Sequence, residues 1–111
     1  MNFLEYQGLA YTTANSKLSD KDKVFNFSLG LLGESGEVAE LLKKHYFHGH
    51  KLDLEKLTKE LGDVLWYVSA MATAFGINFS ELAQKNIDKL RERYPEGFSK
   101  ERSLNRIESA L

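Results

Sequence analysis

Apolar residues recur along most of this chain at spacings of three, four and seven, the period of one face of an α-helix. The longest such stripe comprises Phe27, Leu31, Val38, Leu41 and Leu42. No segment alternates apolar and polar residues in the manner of a half-buried strand. The pattern therefore predicts an all-α protein with four main helices, over about residues 3–15, 21–46, 54–75 and 81–93.

Capping and helix-breaking residues separate the predicted helices. Serine and aspartate oxygens cap helix starts, glycine permits a turn and proline ends a helix. The residues that mark these boundaries are Ser19 or Asp20, Gly49, Asp53, Ser80 and Pro95. The polar segment 98–111 suits a short helix or an arm on a neighbouring subunit. Because no linker-like stretch intervenes, we expect a single domain over residues 1–111, with a four-helix bundle-like subunit.

Two pairs of acidic residues interrupt the apolar faces of the second and third predicted helices. Glu34 and Glu37 lie in the second helix, and Glu60 and Asp63 lie in a strongly apolar part of the third. A spacing of three puts both acids of a pair on one helix face, so packing of the two faces would bring four carboxylates together. Glu40, three residues beyond Glu37, suits a further ligand, the catalytic base or a surface charge.

Carboxylates gathered in a small site need a compensating charge, because burying an unpaired carboxylate is unfavourable. The nearby lysines, Lys43, Lys44 and Lys59, lie toward helix ends or on other faces, so a cation from solution is the simpler partner. Oxygen ligands favour a hard ion, and the pairs lack both the histidines of a di-iron bundle and the spacing of a calcium loop. The sequence therefore predicts a Mg²⁺ site, with Mn²⁺ possible, inside a helical core.

Glycines accompany the acids inside the predicted helices, where each lowers stability by about 1 kcal/mol relative to alanine. They are Gly30, Gly33, Gly36 and Gly62. The first three repeat every three residues and form a smooth ridge. The ridge predicts a close helix crossing, which would also position the acids.

The composition is that of an ordinary globular chain, with 111 residues, 42% hydrophobic and 28% charged residues, no cysteine and a net charge of −1. Without cysteine, disulfides and thiolate metal sites are excluded. The charge gives no reason to expect a nucleic-acid polymer or a membrane as partner, and no stretch approaches the ~20 apolar residues of a membrane span. No secretory signal pattern is evident, so we expect a cytoplasmic protein that associates with copies of itself to extend a modest core.

The two acid pairs resemble the signature of the MazG-like all-α nucleoside triphosphate pyrophosphohydrolases. Glu34-Ser-Gly-Glu37 and Glu60-Leu-Gly-Asp63 match its Glu-x-x-Glu and Glu-x-x-Asp motifs in type, order and separation. The resemblance extends from about residue 5 to residue 106, and residues 86–98 look like the closing segment of the family.

The resemblance implies hydrolysis of a nucleoside triphosphate between its α and β phosphates, giving the monophosphate and pyrophosphate. Glu34, Glu37, Glu60 and Asp63 would bind Mg²⁺, and Glu37 is preferred over Glu40 as the base that activates water. The family builds its active sites within dimers or tetramers, so a homodimer or homotetramer is expected.

The expected substrate contacts are Asn26, Lys44, His48, Lys51, Tyr67, Asn86, Lys89 and Arg93. By their position, Lys44 and Lys51 suit either a phosphate contact or an ordinary helix-end lysine, His48 suits a phosphate contact, and Asn26 is a further contact ahead of the acids. The resemblance implies the other four. Tyr67 matches a position that lines the nucleoside pocket, and the three residues of the last helix match positions that contact sugar or phosphate. Lys44 stands where some relatives carry a tryptophan that stacks on the base. For His45, His48 and His50 together, a solvated turn is the better interpretation than a metal site. Trp66 is expected to be a packing residue.

Two alternatives stay open. One is a hydrolase of dUTP and dUDP with the same fold, which activity on the diphosphate would distinguish. The other is a catalytically silent helical oligomer, an interaction module that retains the acids as a structural cation site.

Overall fold

A computed structural model describes residues 1–106 of the chain, which form five α-helices and no β-strand. The helices are α1 (Phe3–Tyr11), α2 (Asp20–His48), α3 (Leu54–Ala74), α4 (Phe79–Arg93) and α5 (Lys100–Leu104). The predicted all-α fold is confirmed. Within segment 98–111 the short helix is present as α5, and residues 107–111 lie outside the described residues.

Local side-chain chemistry determines where the long helices begin and end. Ser19 Oγ accepts a hydrogen bond from the backbone N–H of Asp22 (3.2 Å), and Asp53 Oδ1 accepts one from that of Lys56 (3.1 Å). Both acceptors satisfy N–H groups that have no partner within the helix. After α2, Gly49 adopts a left-handed conformation with φ of 72°, which favours glycine over residues with a Cβ.

The first helix is shorter than predicted, because α1 ends at Tyr11 rather than near residue 15. The hydroxyls of Thr12 and Thr13 donate hydrogen bonds to the carbonyls three residues before them, at 2.6 and 2.7 Å. These side-chain bonds occupy carbonyls at the end of the helix and favour a turn over its continuation.

Buried Gln7 joins α1 to the end of α3 and the start of α4. Its Nε2 donates to Thr73 Oγ1 (3.1 Å) and to the carbonyl of Ile77 (2.8 Å), and its Oε1 accepts from the N–H of Phe79 (2.9 Å). The prediction that Ser80 caps the fourth helix is wrong, because α4 already begins at Phe79. The side chain of Gln7, remote in sequence, satisfies the first N–H of this helix.

Helices α2 and α3 run antiparallel, and an aromatic cluster packs their crossing against α1. Buried Phe27 meets Trp66 edge-on with ring centroids 5.7 Å apart, and Tyr11 lies 6.3 Å from Phe27. The Trp66 indole N–H donates to the carbonyl of Ala10 (3.0 Å) and to Thr13 Oγ1 (2.9 Å). Trp66 is thus a packing residue, as predicted.

The chain comprises two compact units, residues 1–79 and the part from Ser80 onward. The first contains α1, α2 and α3 and holds the buried core. In the second, Ser99 caps α5 through the N–H of Arg102 (3.1 Å), and the rings of Tyr94 and Phe98 lie 5.4 Å apart. Across residues 1–106, no helix combines the length and apolar character that a bilayer crossing requires.

Candidate metal centre

Three of the four predicted carboxylate ligands come together in the first unit. Glu34 of α2 and Glu60 and Asp63 of α3 each offer a carboxylate oxygen, and these oxygens all lie within 4.8 Å of one another. Glu60 and Asp63 lie about one turn apart on α3, so they share a face, and the antiparallel packing brings Glu34 opposite them. The helix spacing and the helix pairing together build the cluster.

The electrostatics of the cluster favour a bound cation. Partial burial raises the pKa of the Glu34 carboxyl, and the carboxylates of Asp63 and then Glu60 raise it further. A hydrogen bond with Glu60 and the charge of Glu37 add to the same shift in the pKa of Glu34. The protein alone therefore stabilises a protonated Glu34, whereas a cation would favour the ionised form.

The donor set fits a hard divalent ion. All three ligands are carboxylates, which is the chemistry that Mg²⁺, Mn²⁺ and Ca²⁺ prefer. Oxygens bound to one Mg²⁺ lie at most about 4.2 Å apart, twice the Mg–O distance. Since the three carboxylate oxygens lie within 4.8 Å of one another, their side chains would have to move closer together to bind one ion.

Glu37 and Glu40 lie beside the cluster rather than in it. Both line a cleft of about 410 Å³ between the end of α2 and the start of α3, a cleft that Glu60 also lines. Glu40 pairs with Lys43 at 3.4 Å, on a well-exposed surface. The roles of Glu37 as ligand and of either residue as base stay predictions.

Two of the predicted phosphate contacts line the same cleft, and a third does not. Lys44 and Lys51 are among its lining residues, together with Lys56 and His50. Exposed His48 is not among them, since α2 ends there. His45 Nδ1 lies 2.8 Å from the carbonyl oxygen of His50, so the ring is engaged with backbone. The carboxylate cluster of residues 1–106 contains no histidine.

Only the first glycine of the ridge, Gly30, contacts α3 within the described chain. A methyl group at Gly30 would overlap the ring of Tyr67, so the two helices do approach closely there. The prediction is wrong for Gly33 and Gly36, because within the described chain a Cβ at either of them would meet nothing within 4 Å; the same is true at Gly62, which lies outside the ridge. Only at Gly30 does an aromatic ring of α3 fill the space above the glycine.

The remaining predicted substrate residues lie elsewhere on the helices. Half-buried Tyr67 packs over Gly30, and exposed Asn26 lies one turn before that glycine on α2. Asn86, Lys89 and Arg93 lie on α4 within the second unit, where their spacing of three and four puts them on one face. Their roles in binding stay predictions.

Sequence reasoning missed Tyr6 of α1. Burial raises the pKa of its phenol, and the carboxylate of Asp63 raises it further. Tyr6 therefore lies close enough to the carboxylate cluster to sense its charge. No local pattern indicated this, because α1 and α3 meet only in the folded chain. Lys56 and Asp53 also line the cleft.

The class that the fold defines is all-α, with a helical hairpin that presents three clustered carboxylates able to hold a metal ion, beside a cleft lined by both acidic and basic side chains. Residues 25–98 match the MazG nucleotide pyrophosphohydrolase domain. The chain belongs to this family, and the resemblance seen in its acid motifs is confirmed. At the level of the family, this supports an activity of the nucleotide pyrophosphohydrolase type.

One relative among curated proteins is the Gene 37 protein of Mycobacterium phage L5. It is 35% identical over 74 residues, which cover 63% of this chain and 65% of that protein. The match thus spans a little under two thirds of the relative's length. No solved structure matches the chain.

Proposed function

We propose that this protein hydrolyses deoxynucleoside triphosphates between the α and β phosphorus atoms, in a Mg²⁺-dependent reaction that yields the monophosphate and pyrophosphate. The observation that carries the proposal is the cluster of Glu34, Glu60 and Asp63, whose oxygens lie within 4.8 Å of one another in a chain of the MazG family. The proposed role is the removal of unwanted nucleotides or control of their pool.

Glu34, Glu60 and Asp63 would hold the ion, with Glu37 as a further ligand when substrate is present. When bound, Mg²⁺ offsets the negative charge of the triphosphate and orients it for attack. Glu34 and Asp63 come from different helices, so the fold itself keeps the ligands in place. Mn²⁺ is the expected substitute, because its ligand preference is similar.

We assign the general base to Glu37. Its carboxylate lies next to the cluster and faces an open cleft, and among residues 1–106 it has no lysine partner. Glu40 is the weaker candidate, because Lys43 already engages it. In the proposed step, a Glu37 oxygen accepts a proton from water while the water oxygen bonds to the α phosphorus. The bond from that phosphorus to the bridging oxygen breaks, and pyrophosphate leaves.

Substrate contacts are proposed around this centre. Lys44, Lys51 and His48 would contact phosphates, and Tyr67 would line the nucleoside pocket. Asn86, Lys89 and Arg93 would contact sugar or phosphate, and Asn26 is a further proposed contact.

The proposed assembly is a homodimer or homotetramer. On α2, Phe25, Leu29 and Leu32 follow one another at spacings of four and three and are 57%, 66% and 72% exposed. Three large apolar side chains on one helix face favour burial against a second copy of this chain. We further propose that the protein acts in the cytoplasm, where its substrate would be found, and that residues 1–111 work as one domain.

Release of pyrophosphate from a panel of dNTPs, with Mg²⁺ and with EDTA, tests the proposal. We expect release of pyrophosphate in the presence of Mg²⁺ and none in EDTA, and we expect no release of inorganic phosphate from the dNTPs. Absence of turnover across the panel would defeat the proposal and favour a silent helical oligomer. Release of inorganic phosphate from dUDP, tested as a separate substrate, would identify the dUTP and dUDP hydrolase instead.

A further inference from the structure

We propose that Gly30 is a positioning residue for Tyr67. Because Gly30 has no side chain, it seats the Tyr67 ring between α2 and α3, where the ring packs against the nucleoside part of the substrate. This role rests on the proposed function, since it takes the substrate to be a nucleotide. Gly30 itself would touch no substrate and would act only through the ring above it.

The backbone of α2 leaves the space that the Tyr67 ring occupies. A Cβ at Gly30 would overlap Cε1 and Cζ of the ring and would lie 2.7 Å from its Cδ1. Protein interiors do not tolerate such overlap, so any other residue at this position would displace the ring or separate the two helices. Glycine is also less favourable than alanine inside a helix, so helix formation by itself does not account for Gly30.

A second neighbour, Trp66, holds the Tyr67 ring. The two rings are nearly perpendicular, with planes at 83° to each other and centroids 5.0 Å apart. The Trp66 indole is fixed in turn, because its N–H donates to the carbonyl of Ala10 (3.0 Å) and to Thr13 Oγ1 (2.9 Å). A ring that is held by a helix backbone and by an anchored indole loses little further freedom when a ligand packs against it.

The Tyr67 ring lies next to the carboxylate cluster along the paired helices. Tyr67 follows Asp63 by one turn of α3, and Gly30 precedes Glu34 by one turn of α2, a rise of about 6 Å in each helix. The cleft of about 410 Å³ lies in the other direction from the cluster, toward the end of α2 and the start of α3. The cluster is therefore flanked by the cleft on one side and by the ring on the other.

These two sides of the cluster differ in charge. Four carboxylates and three lysines line the cleft, and apart from His50 its described lining includes no aromatic side chain. The half-buried Tyr67 ring instead contacts Gly30 and Trp66, which carry no charge. A nucleoside presents a flat base that stacks on aromatic rings. With the phosphates of a nucleotide at the metal centre, its nucleoside part would therefore pack on the side of Tyr67.

A double-mutant cycle tests this role, by calorimetric titration of the full chain with the four deoxynucleoside monophosphates in Mg²⁺. Gly30→Ala should raise the Kd of the monophosphate that binds most tightly about tenfold, because the displaced ring no longer packs against it. Tyr67→Ala should raise that Kd by a similar factor. In the Tyr67→Ala background, Gly30→Ala should leave the Kd unchanged, because the ring through which Gly30 acts is gone. Gly33→Ala, on the same helix, is the matched control and should bind normally, since its Cβ would meet nothing within 4 Å.

The Mn²⁺ affinity of Gly30→Ala, measured without nucleotide, separates displacement of the ring from damage to the metal centre. It should fall less than the monophosphate affinity. An equal loss for both ligands would overturn the assignment of Gly30, as would an unchanged Kd in Gly30→Ala, additive effects of the two substitutions, or absence of monophosphate binding by the unaltered protein.

The comparison of Tyr67→Ala with the double variant decides the matter even if Gly30→Ala alone does not fold, because neither of these two proteins contains the overlap. Equal Kd values, both higher than that of the unaltered protein, support the role of Gly30. A higher Kd in the double variant contradicts it.

Binding and turnover are measured separately. If the cycle shows the expected coupling but dNTPs are not hydrolysed, the positioning role stands and the proposed hydrolysis fails. If dNTPs are hydrolysed and Gly30→Ala binds the monophosphate normally, the hydrolysis stands and the positioning role is wrong.

Discussion

Gly30 of α2 lies directly beneath the ring of Tyr67 of α3. A Cβ built on Gly30 would be 2.7 Å from Cδ1 of that ring and closer still to two other ring atoms. The ring cannot simply bend away, because it is half-buried and lies 5.0 Å from the Trp66 ring, measured between centroids. Gly30 is one turn before Glu34, so this contact sets the helix spacing next to the carboxylate cluster.

Gly30→Ala should therefore destabilise the fold, even though alanine favours a helix. Overpacking costs typically about 1–3 kcal/mol, and the gain in helix propensity offsets roughly 1 kcal/mol of it. We expect urea unfolding to show a free energy of unfolding lower by up to about 2 kcal/mol. Gly33→Ala is the control, because its Cβ would meet nothing within 4 Å. Equal stability of the two variants would contradict this account of the crossing.

Asp63→Asn should weaken metal binding. The substitution removes one of three clustered carboxylates and leaves the shape of the side chain nearly unchanged. Since even partners of metal ligands alter affinity about 10–100-fold, we expect Mn²⁺ affinity to fall at least about tenfold by calorimetry. Turnover should be abolished while the circular dichroism spectrum stays helical. Glu55→Gln, an exposed acid of α3 that pairs with Lys59, should bind Mn²⁺ normally. Unchanged affinity in Asp63→Asn would remove that residue from the centre.

Glu37→Gln should abolish catalysis while keeping most of the metal affinity, because Glu37 lies beside the three-carboxylate cluster. A general base contributes about 10²–10⁴-fold, so kcat for dNTP hydrolysis should fall by about that factor. Glu40→Gln, one turn along the same helix, should have the smaller effect. A larger loss of kcat in Glu40→Gln than in Glu37→Gln would transfer the role of base to Glu40.

The stability of the metal-free protein should decrease as pH rises through the acidic range. Burial and the carboxylates of Asp63 and Glu60 raise the pKa of Glu34 in the folded state. A group whose pKa is raised on folding stabilises the fold below its unfolded-state pKa, and this contribution is lost as pH rises through the folded-state pKa. In EDTA, the free energy of unfolding should therefore fall over that interval.

Glu34→Gln should make this fall shallower, because the substituted side chain does not ionise. The measurement is urea unfolding at a series of pH values in EDTA. Exposed Glu55→Gln provides the comparison, since that side chain lies outside the cluster. Parallel pH profiles for Glu34→Gln and the unaltered protein would show that Glu34 is not electrostatically coupled to the cluster.

Short-range patterns predicted much of this molecule. The 3.6-residue period of apolar positions predicted α2, α3 and α4, and Ser19 and Asp53 marked their starts because capping depends on residues three apart. The spacing of Glu60 and Asp63 likewise predicted a shared face on one helix. Features of this kind depend on residues within one or two helical turns, so the local sequence is enough to predict them.

Features that join distant segments required the folded chain. The crossing of α2 with α3 determines which glycine of the ridge contacts the neighbouring helix. The helix period alone does not distinguish Gly30 from Gly33 and Gly36. Gln7, which satisfies the N–H of Phe79, carries no pattern of its own because its partners lie about seventy residues away.

The amino-acid order alone specified the helices, the oxygen-only ligand chemistry and the family, since each follows from residue type and spacing along one helix. The packing of α2 against α3 decided that Glu34 meets Glu60 and Asp63 while Glu37 lines the cleft between the end of α2 and the start of α3. The helix period predicts on which side of a helix a residue lies, but not its distance from a side chain on another helix. Sharing an ion requires oxygens a few ångströms apart. Side chains from two helices reach that separation only when a specific crossing holds them there.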